Sequence, residues 1–207
     1  MIAIQEQTIN NAIVPIYKIK NYDDIYIDTI NSNTLIVFDI DETIIKFPGI
    51  NQKWWDDNYN YHYTLYDINN ARQKVFNQWL EIIHNYEPIM LDKIKFNTIM
   101  DKINSVNSKI VFLTARPPEL REITEKNLDS CNIKYNKEDI YFLPNKSETK
   151  NKGEMIIKII QQLNHINDII FVDDVIHNVQ SVINEFAKKN LFDYNLQLYL
   201  MDHENLD

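Results

Sequence analysis

Cysteine and glycine are scarce in this chain of 207 residues, which has one cysteine and two glycines. Cys131 can form no internal disulfide, and this favours a reducing compartment. The sequence also has no Cys–His nucleophile pair, no zinc-binding cluster and no GxxxxGK[ST] loop of the kind used for nucleotide-driven kinase chemistry. The sequence therefore argues against a thiol protease, a zinc-binding module or a P-loop enzyme.

Positive charge is in short supply as well, because 21 Lys and Arg face 30 Asp and Glu, for a formal net charge of -9. Nucleic acids and anionic membranes both need a basic surface, so we expect neither as a partner. A small phosphorylated substrate stays open, since a bound metal can reverse the local charge.

Long apolar runs are absent too. No segment of the sequence reaches the length of a membrane span, and the N-terminus lacks the basic and apolar regions of a signal peptide. We therefore expect a cytoplasmic protein, with secretion by a route that uses no cleavable signal as the open alternative.

Short apolar runs rich in β-branched residues are present, and each ends in polar residues. Three are pronounced, TLIVFDI (34–40), KIVFLTA (109–115) and DIIFVDD (168–174), and two are weaker, DIYFL (139–143) and LQLYLM (196–201). Runs that are apolar on both faces suit parallel strands covered by helices on both sides. Helical patterns lie between them, one opened by Pro117-Pro118 and others at 152–163 and 176–187. The alternation predicts an α/β fold with a doubly wound parallel sheet, whose ligands bind at the carboxyl ends of the strands.

The segment from Ile44 to Ser108 interrupts this alternation and is too long for an ordinary crossover. It contains helical patterns at about 70–85 and 88–104, preceded by the aromatic stretch WWDDNYNYHYTLY (54–66). We predict a helical cap inserted after the first strand, with 44–108 as the cap and 1–43 plus 109–207 as the core. The aromatic residues either pack the cap, which is their commoner role, or stack on a substrate ring.

Two aspartates, Asp39 and Asp41, stand in VFDIDET at the end of the first strong strand. On an extended strand they would face opposite sides, but a turn at Ile40 would bring both to one pocket. Mg²⁺ would relieve their repulsion, and an acid from the neighbouring strand end, Asp173 or Asp174, would complete its ligands. One carboxylate could then attack phosphorus while the other transfers a proton.

Thr114 offers a hydroxyl at the next strand end, and Lys152 begins a helix whose N-terminus favours anions. Lys146 and Lys150 compete with Lys152 for this role. Each feature alone has an ordinary alternative, because Asp is common in turns and helix caps and Lys is usually solvated.

Taken together, four motifs in this order resemble those of the haloacid dehalogenase (HAD) superfamily. They are VFDIDET, FLTAR (112–116), Lys152 in KNKGE, and FVDD followed by Asn178. The chain is similar in more detail to a HAD branch of uncharacterised proteins from intracellular bacteria, which shares KWWDD, LTARPPEL and NKGE. One departure is Glu42, which stands where many members have glycine.

The resemblance implies a HAD-like Rossmannoid core and a phosphatase that forms an aspartyl-phosphate. It implies Asp39 as nucleophile and Asp41 as general acid and base. Thr114 and Lys152 would bind the phosphoryl group. The metal, Mg²⁺, would be held by Asp39, Asp41, Asp174 and Asp173, the last directly or through water.

Two other functions stay open at this point, namely a phosphomutase and a non-catalytic binding or effector protein that keeps the fold. Dehalogenation is disfavoured because it needs no proton donor two residues after the nucleophile, where this chain has Asp41.

Overall fold

The computed structural model of the chain describes residues 2–9, 12–143 and 151–202. The strands in these residues are β1 (Ile2–Ile9), β2 (Ala12–Ile19), β3 (Thr34–Phe38), β4 (Ile45–Lys46), β5 (Ile89–Met90), β6 (Lys109–Thr114), β7 (Ile140–Phe142), β8 (Asp168–Asp173) and β9 (Asn195–Met201). The α-helices are α1 (Gln52–Tyr63), α2 (Ile68–Asn85), α3 (Lys93–Val106), α4 (Arg121–Ser130), α5 (Lys152–Ile160) and α6 (Ile176–Lys188). Lys146 and Lys150, the two competitors of Lys152, lie outside the described residues.

The main sheet has seven strands in the order β1-β2-β9-β8-β3-β6-β7. All neighbours pair in parallel except β1 and β2, which are antiparallel. The three strong apolar runs occupy the centre as β8, β3 and β6, where both faces of a strand are covered. The short strands β4 and β5 form a separate antiparallel pair.

Helices cover both faces of the sheet, and each face has its own apolar core. On one face, Phe38 of β3 packs in a cluster with Phe96 of α3 and Leu128 of α4. On the other face, Val37 packs in a cluster with Ile156 of α5 and Val182 of α6. The predicted fold class, α/β with a parallel sheet between helical layers, is therefore confirmed. One detail differs: the strand expected to come first is the third in the chain, because β1 and β2 precede it.

The segment 44–108 contains three helices where the sequence predicted two. The pattern at 70–85 forms α2 and the one at 88–104 forms α3, whereas α1 lies within the aromatic stretch. Helices α1 and α2 contribute to a third apolar cluster together with Phe47, Ile50 and Ile123. Helix α3 instead packs against the sheet, in the cluster that contains Phe38. Within 44–108, the α1–α2 pair and the residues leading into it thus pack in a cluster separate from the two that cover the sheet.

No helix in the described ranges has the length and apolar character that crossing a bilayer requires.

Candidate active site

The chain turns sharply where β3 ends, and this turn brings three acids to one cleft. The Asp39 amide still donates to the Val172 carbonyl of β8 at 2.9 Å. The Ile40 carbonyl then accepts from the amides of Ile44 and Ile45 at 2.9 and 3.1 Å, and Glu42 adopts a left-handed φ of 54°. As a result, Asp39, Asp41 and Glu42 all line a cleft of about 270 Å³ at the carboxyl end of the sheet.

Lys152 is fully buried at the start of α5 and joins two strand ends. Its Nζ donates to Asp39 Oδ1 at 2.5 Å and to Asp173 Oδ2 at 2.6 Å. Burial alone lowers the pKa of Lys152, but attraction by Asp173 and Asp39 outweighs it and leaves this pKa above its usual value. The lysine is therefore charged, and it is aimed at the carboxylate that the sequence suggests as nucleophile.

Three carboxylates converge around this lysine. One oxygen from each of Asp39, Asp173 and Asp174 lies within 4.8 Å of the others. Burial is the main cause that raises the pKa of Asp39 to about 7, with Lys152 opposing and the neighbouring acids reinforcing the shift. Burial, followed by Asp39 and Asp173, also raises the pKa of Asp174 well above its usual value. Negative charge at this point is only partly compensated by the protein.

Asp173 is the most firmly held of the three. Its Oδ1 accepts from the Val175 amide at 2.8 Å and from Asn178 Nδ2 at 3.0 Å, while its Oδ2 accepts from Lys152. Asn178 also lines the cleft. The FVDD motif and its asparagine thus form one hydrogen-bonded unit that orients Lys152.

The Asp41 carboxylate does not join this cluster. It accepts two parallel hydrogen bonds from Arg116, from Nε to Oδ2 at 2.8 Å and from Nη2 to Oδ1 at 2.6 Å. Of the four acids predicted to hold the metal, the structure therefore brings together the carboxylates of Asp39, Asp173 and Asp174, and directs that of Asp41 to the side. Arg116 ends the FLTAR motif that follows a predicted strand, but we predicted no role for it from the sequence.

Thr114 ends β6 and is fully buried. Its Oγ1 accepts from the Arg116 amide at 3.0 Å, which orders the turn that follows the strand. The cleft itself is lined by the next residues, Ala115, Arg116 and Pro117.

Aromatic residues form much of the remaining wall. Trp55 of α1 and Phe76 and Trp79 of α2 line the cleft together with Phe47 and Ile50. Within the aromatic stretch 54–66, Trp55 is the residue that reaches it. Tyr61, Tyr63 and Tyr66 are exposed, and His62 is buried against Gln78.

A family model described as "Protein of unknown function (DUF2608)" matches residues 18–143, more than half of the chain. The matched range contains Asp39, Asp41, Thr114 and Arg116 and ends before Lys152. No curated protein matches the sequence.

Several solved structures are similar in fold. A putative β-phosphoglucomutase from Thermotoga maritima is 10% identical with a TM-score of 0.51, over 83% of this chain and 95% of that one. The class C acid phosphatase from Bacillus anthracis is 17% identical with a TM-score of 0.49, over 87% of this chain and 72% of that one. The HAD domain of the effector protein Lem4 from Legionella pneumophila is 11% identical with a TM-score of 0.47, over 84% and 89%. At these identities the likeness to the Thermotoga protein shows the fold and nothing further.

Proposed function

This chain belongs to the family described as proteins of unknown function (DUF2608), and we propose that it is a Mg²⁺-dependent phosphohydrolase acting on small phosphomonoesters. The observation that carries the proposal is the Lys152 ammonium, which donates to both Asp39 and Asp173 inside a cluster of three carboxylates. A buried lysine, a carboxylate nucleophile and paired acids at adjoining strand ends are what phosphoryl transfer through an aspartyl-phosphate requires.

Asp39 is the proposed nucleophile. It lies at the end of β3, is 5% exposed and lines the cleft, so a small ester can reach it. Its Oδ1 is held by Lys152, which fixes the orientation of the carboxylate and places a positive charge beside the reacting group. Fixed charge in a buried site stabilises the developing negative charge of the phosphoryl group more than a solvated charge would.

The donor set fits a hard divalent cation. Carboxylate oxygens are the preferred ligands of Mg²⁺, and three of them lie within reach of one another. Burial and the neighbouring acids raise the pKa values of Asp39 and Asp174, and the positive charge of a bound cation would favour the ionised form of both. Asp39 and Asp174 would hold the ion directly. Asp173, already bonded to Lys152 and Asn178, would support it directly or through water. When bound, Mg²⁺ would shield the charge of the phosphoryl oxygens from these carboxylates.

Asp41 is the proposed general acid and base. Its side chain is 29% exposed and lines the cleft beside Asp39, with its orientation set by Arg116. In the first half-reaction, Asp39 attacks phosphorus, the bond to the alcohol oxygen breaks, and Asp41 gives that oxygen a proton. In the second, Asp41 takes a proton from water, the water oxygen attacks phosphorus, and phosphate leaves with Asp39 regenerated.

The remaining expectations enter as parts of the same proposal. Lys152 and Thr114 are the proposed phosphoryl-binding residues, and the Thr114 hydroxyl also orders the turn at Arg116. Residues 44–108 form the inserted cap over the core of 1–43 and 109–207, with α1 and α2 narrowing the cleft and α3 anchoring the insertion in the core. A cleft of about 270 Å³ suits small phosphomonoesters better than phosphoproteins. We place the protein in the cytoplasm.

The test is turnover of p-nitrophenyl phosphate with Mg²⁺ by the wild type and the Asp39→Asn variant. Loss of covalent catalysis should lower kcat by at least about 10³-fold while the thermal midpoint shows a folded protein. The matched control is Asp57→Asn, an exposed acid on α1, which should hydrolyse at the wild-type rate. A folded Asp39→Asn protein with wild-type turnover would falsify the assignment. Absence of turnover in the wild type on any phosphomonoester would favour the non-catalytic alternative.

A further inference from the structure

The aromatic wall of the cleft consists of Trp55, Phe76 and Trp79, and its rings contact one another. The centroids of Trp55 and Trp79 are 6.2 Å apart, and those of Phe76 and Trp79 are 5.6 Å apart with an interplanar angle of 33°. These distances are typical of interacting aromatic pairs. The wall is therefore one continuous aromatic surface that faces the same space as Asp39.

This surface is held in place by neighbouring side chains. Trp79 is only 8% exposed, and the Arg116 guanidinium lies 5.5 Å from the centre of its ring. Phe47, Ile50 and Ile123 are buried in the same apolar cluster. A ring that binds here meets a preformed surface, so little side-chain entropy is lost on binding.

The size of the cleft limits what can occupy it. An apolar cavity of about 150 Å³ is large enough for benzene. The cleft of about 270 Å³ therefore has room for one aromatic ring together with a phosphoryl group.

The charges around the cleft disfavour a second anionic group. Among the described residues that line it, the cations are Arg116 and Lys152, and both already donate to carboxylates. Glu42 and Asp174 line the same space. A substrate with two phosphates, or with a phosphate and a carboxylate, would place an additional anion next to these acids.

From the wall, its rigidity, the volume and the charges we infer that the cleft binds the leaving group of an aryl phosphomonoester, a single phosphate on a one-ring aromatic alcohol. Trp55, Phe76 and Trp79 contact the ring while the phosphoryl group lies at Asp39 and Lys152. This inference rests on the proposed function for the chemistry, but the binding that it describes can be measured without turnover.

The experiment compares two non-hydrolysable probes by calorimetry in the presence of Mg²⁺. Benzylphosphonate carries the ring, and methylphosphonate carries only the phosphoryl-like group. The wild type should bind benzylphosphonate about 10-fold or more tightly than methylphosphonate, because burying the ring removes apolar surface from water.

Two neighbouring residues supply the variant and its matched control. Trp55 lines the cleft, whereas Trp54 packs against it in the same cluster with ring centroids 4.9 Å apart and is not among the residues that line the cleft. Trp55→Leu should weaken benzylphosphonate binding by roughly 3–10-fold and leave methylphosphonate binding unchanged. Trp54→Leu should lower the thermal midpoint but retain the preference for benzylphosphonate.

The inference is overturned if the wild type binds both phosphonates equally or binds neither. It is also overturned if the two variants lose the preference to the same extent, since the rings would then act only in packing. Equal binding of the two phosphonates and an equal loss in the two variants are independent of the proposed function, whereas binding of neither would also count against the phosphoryl site. Turnover of p-nitrophenyl phosphate without a preference between the phosphonates would remove the aryl site and leave the phosphohydrolase. A clear preference for benzylphosphonate without turnover of any ester would leave the aryl site and remove the phosphohydrolase.

Discussion

Arg116 donates two parallel hydrogen bonds to the Asp41 carboxylate, and helix α4 holds the arginine side chain in place. Its Nη1 donates to Thr124 Oγ1 at 3.1 Å and to Asn127 Oδ1 at 2.9 Å, and the arginine side chain is 1% exposed. Asn127 Nδ2 in turn donates to the Ile83 carbonyl of α2 at 3.2 Å. The orientation of Asp41 therefore depends on contacts that extend to α2.

Replacing Arg116 by lysine should separate the two halves of the proposed reaction. A single ammonium cannot make two parallel bonds to a carboxylate, so Asp41 loses its fixed orientation. With p-nitrophenyl phosphate the leaving group departs without a proton, whereas the attack of water still needs Asp41 as base. We expect a retained burst of p-nitrophenol and a steady-state kcat lowered about 100-fold. Rapid-mixing absorbance measures both. The control is Arg121→Lys, a half-exposed arginine that begins α4, which should preserve burst and turnover.

Replacing Asp174 by asparagine should stabilise the metal-free protein at alkaline pH. The pKa of Asp174 is raised in the folded state, so its contribution to stability is complete below its ordinary pKa and is lost as the pH rises through the raised value. At about pH 8 without metal, Asp174→Asn should increase the free energy of unfolding by roughly 1–2 kcal/mol in urea titrations.

The same variant should respond less to metal. Mg²⁺ should raise the thermal midpoint of the wild type and raise that of Asp174→Asn much less, because one proposed ligand is missing. At about pH 4 the metal-free proteins should be equally stable. A wild type that gains nothing from Mg²⁺ at pH 8 contradicts the metal site.

Glu42 adopts a left-handed backbone conformation, with φ of 54°, which glycine adopts at less steric cost than other residues. Burial, with repulsion from Asp41, raises the pKa of its carboxyl to about 8. Glu42→Gly and Glu42→Ala both remove this carboxyl, but only glycine also removes the steric strain. The glycine variant should be more stable than the alanine variant by about 1 kcal/mol in chemical denaturation. Equal stability would show that the turn is not strained.

Gly153 lies where α5 meets α6, and a side chain there has no room. A Cβ at Gly153 would be 2.2 Å from the Ser181 carbonyl oxygen and 2.8 Å from the Val182 nitrogen. Gly153→Ala should therefore cost roughly 2–4 kcal/mol, because the backbones of the two helices must separate. Gly49→Ala is the control, since its Cβ would meet nothing within 4 Å and the cost would come only from its φ of 82°. A smaller loss at Gly153 than at Gly49 would contradict the close packing.

The centre of the fold could be predicted because its signals are local. The runs that form β3, β6 and β8 are apolar on both faces, and acids or a threonine mark the points where they end. Since parallel strands end at the same edge, the meeting of Asp39, Asp173 and Asp174 follows from topology alone. Lys152 could be placed because it and Gly153 begin an apolar helix.

The outer parts of the fold could not be predicted, for identifiable reasons. Strand β2 contains Pro15, which normally argues against an inner strand. In the structure Pro15 pairs with Glu6 of β1, and the parallel pairing with β9 begins only at Ile16, so no ladder bond to β9 is missing there. The Asp41–Arg116 pair joins residues 75 apart in sequence, and no pattern along one chain specifies such a contact.

Helix α1 could have been predicted from the spacing of its aromatic residues. Trp55, Tyr59 and Tyr63 recur every four residues, and their rings stack in sequence at 6.0 and 5.8 Å. This is the spacing of side chains on one face of a helix. For helix α3, the spacing of Phe96, Ile99 and Ile103 predicts a buried face. The sequence does not indicate which part of the protein covers that face.

The pairing of β2 with β9 has a consequence for how the protein is made. On the ribosome, β2 emerges early, but the strand that covers its other edge comes only after residues 20–194 have been translated. At about 5–20 residues per second this interval is roughly 10–35 s. During that time β1 and β2 can pair as a hairpin, while the opposite edge of β2 stays open to any extended segment nearby. Nascent chains stalled before Asn195 should therefore be the form of this protein that most needs a chaperone.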